Sequence, residues 1–329
     1  MVNFFAGRII TSVFTLLLLS IVTFSIIHLA PGDPARLLLP MEATEEDVAE
    51  VRKALGLDAP LLIQYFTWLR NAIKLDFGNS IRAKYSASKV FLDRLPATIE
   101  LAFASIILSV FFGIPVGIFA AIKRNSYWDL GISFISLFGL STPRFWLGIL
   151  LMLIFSLGFG WFPAFGRGPG LFYGIVQFLK GDFDPLYQAI KALVLPSITL
   201  ATWFFAIFVK YTRANVLEEL GKLYVKTARQ KGISEFRVMF THVIRNALIP
   251  IVTVIGLQIG VVLGGAVVTE IVFAWPGVGR LLVDALFARD YPLIQASLFM
   301  IGIMIVIIFI LLDIIYIVID PRILVKNIR

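Results

Sequence analysis

The residue types that most often catalyse reactions or hold metals are scarce in this sequence. It has no cysteine, and among its 329 residues His28 and His242 are the two histidines. Disulfides, thiolate metal sites, iron–sulfur clusters and cysteine nucleophiles are therefore excluded, and a histidine metal cage is not expected. No GxxxxGK[ST] phosphate loop occurs, and Gly277 and Gly279 lack the third glycine of a dinucleotide-binding turn. The sequence thus offers no site for ATP hydrolysis or a redox cofactor.

The composition indicates that lipid is the main solvent of this chain. Hydrophobic residues make up 59% and charged residues 15%, whereas soluble domains have under about 50% apolar and about 25% charged residues. Six apolar runs have about the length that crosses a bilayer, and their continuous hydrophobicity predicts helices rather than barrel strands. We therefore predict an all-α membrane protein whose spans are residues 9–30, 97–122, 130–159, 192–209, 247–268 and 293–319.

Basic residues in short loops predict which side of the membrane is cytoplasmic. Lys and Arg exceed Asp and Glu by 29 to 21, and the excess lies in the turn 123–124, the loop 213–246 and the tail. With six spans, these segments share one side with the amino terminus. The predicted organisation is a cytoplasmic start and first span in 1–30, a helical extracytoplasmic segment in 31–96, five spans in 97–319 with a cytoplasmic loop at 213–246, and a cytoplasmic tail in 320–329.

The extracytoplasmic segment has its own helical pattern. Pro31-Gly32-Asp33-Pro34 is predicted to stop the first helix. Residues 45–55 and 61–75 then read as short amphipathic helices. Two interpretations stay open, a small cap packed on the bundle and a docking surface for an external partner.

Small residues at four-residue spacing predict close contacts between the membrane helices. Gly113 and Gly117 lie on the second span. In lipid, such positions let two backbones approach closely, and van der Waals contact then drives association. A second set on the fifth span comprises Gly256, Gly260 and Gly264.

The most informative stretch is the basic, amphipathic part of the loop from residue 224 to 250. It is interrupted at Gly232, and a loop of about 35 residues is long for a connector. This stretch resembles the conserved Glu-Ala-Ala…Gly loop of ABC-importer permeases. Gly232 matches the motif glycine and Ala228 the second alanine, whereas Lys226 and Thr227 replace the Glu and the first Ala.

The loop contains Tyr-x-x-Thr-Ala-x-x-Lys-Gly, followed by His-x-x-Arg-Asn-Ala-x-x-Pro. This form resembles dipeptide and oligopeptide permeases, in particular the first, B-type subunit. Further matches are spread along the chain. They include His28-x-x-Pro31-Gly32-Asp33-Pro34, Leu95-Pro96-Ala97-Thr98-x-Glu100-Leu101, Ser141-x-Pro143-x-Phe145-Trp146, Thr269-Glu270-x-x-Phe273-x-Trp275-Pro276-Gly277, and Asp320-Pro321-Arg322.

The resemblance implies the type I importer permease fold in a prokaryotic inner or plasma membrane. The implied partners are a second homologous permease subunit in a heterodimer, two cytoplasmic ATPase subunits, an extracytoplasmic solute-binding protein, a peptide substrate and membrane lipid, with no nucleic acid. The chain itself would be neither an enzyme nor a cofactor carrier, since ATP and Mg would be held by the ATPases. The residues implied in contacting the ATPases are Tyr224, Lys226, Thr227, Ala228, Arg229, Lys231, Gly232, Glu235 and Arg237.

Arg144 is the main candidate for the translocation path. It lies 15 residues into the predicted span 130–159, and at about 1.5 Å per residue this places it near the bilayer midplane. An arginine there must face the bundle interior or a wet cavity. It would bind a peptide carboxylate or pair with an acidic residue of the second permease. The full set of path candidates is Ser141, Pro143, Arg144, Gln258 and Glu270.

Alternatives remain for the substrate and for the class of protein. The same machinery imports oligosaccharides and nickel chelates, and the motifs do not choose among these cargoes. An ion-coupled secondary transporter would need acidic groups in its spans, where the sequence supplies few, such as Glu100 and Asp313. An intramembrane enzyme would need a paired nucleophile or metal ligands, which neither histidine supplies.

Overall fold

The described part of the chain is helical. A computed structural model describes residues 2–29, 36, 44–54 and 57–319, and within them the only extended pairing is an isolated bridge between Asn79 and Ser86. The turn motif at 31–34 and the tail 320–329 lie outside the described residues. The helices are α1 (Val2–Leu29), α2 (Glu45–Ala54), α3 (Leu61–Ile73), α4 (Ala87–Ile122), α5 (Tyr127–Ser141), α6 (Arg144–Leu151, continued by a π-helical turn Met152–Gly158), α7 (Leu171–Leu179), α8 (Asp184–Leu220), α9 (Leu223–Gln230), α10 (Glu235–Arg237, continued by a π-helical turn Val238–Ile244), α11 (Arg245–Gly265), α12 (Val267–Val272), α13 (Val278–Phe287) and α14 (Tyr291–Ile319).

The predicted all-α membrane fold is confirmed. Among the described residues, four helices are long and apolar enough to cross a membrane, and two bent helix pairs raise the number to six when each pair counts as one span. The four are Gly7–Ile26 within α1, α4, α8, and Tyr291–Ile314 within α14. The bent pairs are Tyr127–Ser141 with Arg144–Gly158, and Glu235–Leu248 with Pro250–Val262.

The predicted span 130–159 is broken into two helices, α5 and α6. α5 and the segment that begins with α6 are bent by 103° relative to each other. Pro143 has no N–H, and its ring drives the preceding residue out of the helical region. Thr142 accordingly has φ −75° and ψ 125°. Arg144 begins a new helix, so the depth counted along a single helix does not apply to it.

Several helices extend beyond the predicted spans because the spans were counted from apolar residues alone. α8 runs from Asp184 to Leu220, whereas the prediction covered 192–209, and α4 begins at Ala87 rather than at residue 97. A helix satisfies its own backbone groups in water as well as in lipid. The polar ends of these sequences therefore continue the same helices.

The helices form two compact units. The first contains residues 1–96 and 277–307. In its core, Trp68 packs edge-on against Phe299 with ring centroids 5.7 Å apart. Buried Asp290 accepts hydrogen bonds from Ser80 Oγ at 2.5 Å and from Arg82 N at 3.2 Å. The two amphipathic helices predicted at 45–55 and 61–75 are present as α2 and α3.

The second unit contains residues 97–276 and 308–329, and its close helix contacts follow the predicted glycines. A Cβ atom built at Gly117 would lie 2.7 Å from Thr212 Cβ and 2.8 Å from Val209 O on α8. At Gly113 the nearest atom would be Phe208 Cβ at 3.1 Å. The prediction that these glycines allow close packing is confirmed.

An ion pair joins the first turn of α5 to α8 within this unit. Asp129, whose side chain is buried, accepts from Arg213 Nε at 2.6 Å and from a terminal guanidinium nitrogen at 2.7 Å. Asp129 also accepts from Asn125 N at 3.0 Å, while the Ser126 side chain caps α5. The pair therefore fixes the start of α5 against the polar end of α8.

We predict that Gly117→Ala destabilises the protein whereas Gly131→Ala does not. Both glycines are helical, but a Cβ at Gly131 would meet nothing within 4 Å. The alanine at 117 must push two backbones apart, and overpacking of this kind costs about 1–3 kcal/mol. The thermal midpoint of the purified protein, followed by tryptophan fluorescence, measures the difference. Equal midpoints for the two variants would contradict the close contact.

Candidate functional site

The loop 213–246 is an ordered helical structure built around a small apolar core. α9 buries Val225 and Ala228, which belong to one apolar cluster with Val216, Val238 and Val243. The three-residue spacing of Val225 and Ala228 puts both on one face of α9. The opposite face of α9 is left exposed.

Gly232 ends α9 in a conformation that suits glycine. Its φ is +75°, in the left-handed region where a Cβ is unfavourable. Gly232 N donates to Arg229 O at 3.0 Å and Ile233 N to Ala228 O at 3.3 Å, which satisfies carbonyls at the helix end. The chain can therefore leave α9 sharply and start α10 three residues later.

Most of the loop residues singled out from the sequence lie on the surface. Ala228 is the exception: its exposed fraction is 7% and it faces the apolar cluster. Its small size lets α9 pack closely on its support, and its assignment to the ATPase contact stays a prediction. The exposed ones are Tyr224, Lys226, Thr227, Arg229, Lys231, Gly232, Glu235 and Arg237.

Tyr224 connects α9 to two neighbouring helices. Its phenol donates to the Glu219 carboxylate near the end of α8 and accepts from Asn246 Nδ2 on α11 at 2.9 Å. Lys222 Nζ donates to the same carboxylate. Burial first, and then the bond to Glu219, raise the pKa of the Tyr224 phenol above its usual value. The phenol therefore keeps its proton at neutral pH, and with it the hydrogen bond that it donates to Glu219.

Two exposed aromatic residues on this surface were missed from the sequence. Phe236 and Phe240 are 73% and 55% exposed, and their ring centroids lie 4.5 Å apart. Beside them, Arg229 and Glu235 form a two-point ion pair, with Nε to Oε1 at 2.7 Å. The four-residue spacing of the phenylalanines was the available signal. The loop surface thus exposes an aromatic pair and basic side chains, and Leu223 at the start of α9 is also 79% exposed.

Arg144 lies against aromatic rings of its own chain. Its guanidinium carbon is 4.7 Å from the ring centroid of Trp203 and 5.9 Å from that of Phe204. Cations over aromatic faces are attracted by the ring quadrupole. One turn further along α6, Gly148 leaves room for close contact, since a Cβ there would be 3.1 Å from Phe273 and 3.4 Å from Thr199. The aromatic support of Arg144 was not foreseen from the sequence.

The other path candidates occupy different surroundings. Ser141 ends α5 and is exposed, and Pro143 precedes the first residue of α6. Glu270 on α12 is fully buried and accepts from Thr98 Oγ1 at 2.6 Å. Gln258 Oε1 on α11 is buried and has no hydrogen-bond partner among the described residues. Their role in a path stays a prediction.

Glu100, weighed from the sequence as a proton-carrying group, is held in a structural network. It accepts from Arg167 Nε at 2.7 Å and from the second guanidinium nitrogen at 2.5 Å. The same carboxylate accepts from Leu171 N at 3.0 Å, at the start of α7, where a negative charge is stabilised. Among the described residues, no group of three or more His, Asp or Glu is placed to hold a metal ion.

The chain is similar to known proteins over almost its entire length. The family described as "Binding-protein-dependent transport system inner membrane component" matches residues 113–325, and its N-terminal companion matches residues 1–102. The dipeptide transport system permease protein DppB of Alkalihalophilus pseudofirmus is 39% identical over 325 residues, 96% of this chain and 97% of that protein. The oligopeptide transport system permease protein AppB of Bacillus subtilis is 39% identical over 324 residues, 98% of this chain and 99% of that protein.

A solved structure shares the fold. A chain of the MetNI methionine ABC transporter, determined in inward-facing conformations, has a TM-score of 0.54 and 15% identity, covering 70% of this chain and 96% of that chain. A similarity at this level of identity describes architecture and not cargo.

We predict that Tyr224→Phe loosens α9 by removing its bonds to Glu219 and Asn246. Hydrogen bonds to charged groups contribute about 1.5–3 kcal/mol, so local opening should become about tenfold more frequent or more. Hydrogen exchange of the α9 amides in the purified protein measures this. Tyr211→Phe on α8, where the side chain is 48% exposed, is the matched control. Unchanged exchange in Tyr224→Phe would contradict the connecting role.

Proposed function

Because the chain belongs to the family of binding-protein-dependent transport system inner membrane components, we propose that it forms half of a peptide translocation path and is driven by separate ATPase subunits. The resemblance found in the sequence and the predicted type I importer permease fold are both confirmed. The chain is a multi-pass inner-membrane permease subunit. The single observation that carries the proposed coupling is the exposed surface of the loop 213–246, with its supported helix α9.

The loop surface supports docking to a cytoplasmic ATPase. Leu223, Phe236 and Phe240 expose large apolar areas, and such patches mark interaction sites. Lys226, Lys231 and Arg237 of the same loop are also exposed. A partner groove with an apolar floor and an acidic rim would match it, and ATP with Mg would be bound on that partner.

The hydrogen bonds of Tyr224 support a route from that surface into the membrane helices. When a partner shifts α9, the phenol carries the displacement to Glu219 on α8 and to Asn246 on α11. Both helices reach from the loop into the apolar part of the chain. ATP-driven movement of the partner would in this way reorient helices around a central path.

The proposed orientation places the amino and carboxyl termini in the cytoplasm. Its support is the distribution of basic residues, which favours the loop 213–246 on the cytoplasmic side. Segment 31–96 then faces outward, where a solute-binding protein would deliver the cargo. A second homologous permease would complete the path as a heterodimer.

Peptides are the proposed cargo. The relatives that cover nearly all of this chain are named for dipeptide and oligopeptide transport. Oligosaccharides and nickel chelates are the alternative cargoes for the same machinery. The bonds that hold Glu100 to Arg167 and to the start of α7 argue against an ion-coupled transporter, since this carboxylate already accepts from the guanidinium and from backbone N–H groups at that helix start.

Arg144 is the proposed contact for the peptide carboxylate. Its guanidinium lies against the rings of Trp203 and Phe204, and the planar fork of a guanidinium matches a carboxylate in both charge and geometry. The break at Thr142 places it at the first residue of α6 rather than inside a regular helix. Ser141, Pro143, Gln258 and Glu270 remain proposed path residues.

We predict that Phe236→Ala weakens the association with ATPase subunits. Loss of a buried phenylalanine contact removes about 1.5–3 kcal/mol, which lowers affinity about tenfold or more. Co-purification of the ATPases and transport-coupled ATP hydrolysis measure the effect. Phe287→Ala on α13, where the side chain is 88% exposed, should leave both unchanged. Normal assembly and hydrolysis in the Phe236 variant would exclude this docking surface.

We also predict that Arg144→Gln impairs the uptake of peptides with a free carboxyl terminus. The expected loss in transport efficiency is about tenfold or more, from one charge-assisted hydrogen bond of about 1.5–3 kcal/mol. Transport of the same peptide with an amidated carboxyl terminus is the internal control and should not change between wild type and variant. An equal loss for both peptides would point to a structural role, and no loss for either would remove Arg144 from the path.

A further inference from the structure

The basic loop contains a single acidic residue in its second half. Between residues 221 and 250 the sequence has six lysines and arginines, and Glu235 is the one acidic residue. Its carboxylate accepts from Arg229 Nε at 2.7 Å on Oε1, and from a terminal guanidinium nitrogen at 3.2 Å on Oε2. Each carboxylate oxygen thus receives one N–H group of the same guanidinium. Two bonds of this kind add geometric specificity to the attraction between the charges.

The ion pair spans the turn between α9 and α10. Arg229 lies in the last turn of α9, and Glu235 is the first residue of α10. A cation near the carboxyl end of a helix and an anion near the amino end are both stabilising. Gly232, with φ +75°, lies between the two residues. The pair therefore connects the two helix ends across the point where the chain changes direction.

Apolar contacts hold the buried side of the same turn. Val238 is fully buried, and Ile233 packs against the apolar cluster to which Val238 belongs. Ser234, which precedes α10, makes no side-chain bond that would cap the helix. Because burial of apolar surface is non-directional, the contact at Val238 alone does not fix the direction in which α10 leaves the turn. The directional bonds between Arg229 and Glu235 supply the second point of attachment.

The ion pair also determines which charges remain for a partner. Four basic side chains are exposed between residues 224 and 237, namely Lys226, Arg229, Lys231 and Arg237. Within the described part of the chain, Arg229 is the one of these four that an acidic residue neutralises. The other three keep their charge for an acidic partner. Arg229 therefore contributes to the geometry of the loop rather than to its net attraction.

We propose that Arg229 and Glu235 are positioning residues, whose ion pair fixes the direction of α10 relative to α9 and so presents Phe236 to the ATPase. Phe236 follows Glu235 directly and is 73% exposed, so any rotation at the start of α10 moves its ring. The family resemblance implies both charged residues as ATPase contacts, and the pair gives them a role within this chain instead. The identity of the partner rests on the proposed function, whereas the geometry of the turn is a property of this chain alone.

Hydrogen exchange of the purified full chain tests the geometry without any partner. Arg229→Gln and Glu235→Gln each remove the same ion pair, so each should raise amide exchange in residues 231–240 by about two- to fivefold, the range for an exposed ion pair. Lys226→Gln removes a charge from the same loop without breaking an ion pair of the described chain, and exchange in residues 231–240 should not change. Unchanged exchange in either pair variant would overturn the positioning role.

In the assembled complex, the sign of each effect separates positioning from direct contact. Direct contact with an acidic partner predicts that Arg229→Gln weakens ATPase association and that Glu235→Gln strengthens it, since the two variants change the net charge in opposite directions. The ion pair predicts instead that both variants lower substrate-stimulated ATP hydrolysis by a similar factor, about two- to fivefold. The double variant should be no worse than either single one, because both remove one interaction.

Two results in the complex would overturn the proposal. One is a pair of effects with opposite signs, and the other is an additive loss in the double variant. Arg229→Lys keeps the charge without the planar fork and should show the same loss as Arg229→Gln, whereas full hydrolysis would show that charge alone is sufficient. If the unmodified chain does not co-purify with ATPase subunits, the proposed function fails, and hydrogen exchange in the isolated chain still decides the role of the pair.

Discussion

Lipid offers no hydrogen-bond partner, so every backbone N–H and C=O group at membrane depth must be satisfied within the protein. The long helices follow from this constraint, and so does the chemistry at their irregular points. Where α5 ends, Thr142 donates from both its backbone N and its Oγ1 to Phe138 O. Between helices, Ser109 Oγ on α4 lies within bonding distance of Ala201 O on α8, at 3.0 Å. Short hydroxyl side chains in the spans therefore donate hydrogen bonds to backbone carbonyl groups.

Local signals in the sequence predicted much of the fold. Apolar runs located the spans, period and composition located α2 and α3, and Gly113 and Gly117 marked a close helix contact. The size of the bend after α5, 103°, was not predicted, because hydropathy is summed over a window without regard to backbone direction. Pro143 removes a backbone N–H from the middle of the predicted span 130–159. Its stronger effect was on Thr142, which left the helical region and turned the chain.

Contacts between distant residues could not be predicted in the same way. Glu100 and Arg167 are 67 positions apart, and Asp129 and Arg213 are 84 apart, so neither local period nor motif links them. The motif located α9 and its terminal Gly232 correctly, yet it could not say which face of α9 is buried. Ala228, which belongs to the motif, lies on the buried face of α9. The ring of Trp203 beneath Arg144 was hidden for the same reason, since it depends on how α6 crosses α8.

The bend between α5 and α6 also sets a condition on the bilayer. Helices that meet at 103° cannot both follow the membrane normal. α5 has 15 residues and is about 22 Å long, some 8 Å less than the hydrocarbon thickness of about 30 Å. α4, with 36 residues, is about 54 Å long and tolerates a wide range of tilts. The hydrophobic mismatch is therefore larger for α5 than for α4, and α5 must adapt to the thickness of the surrounding lipid.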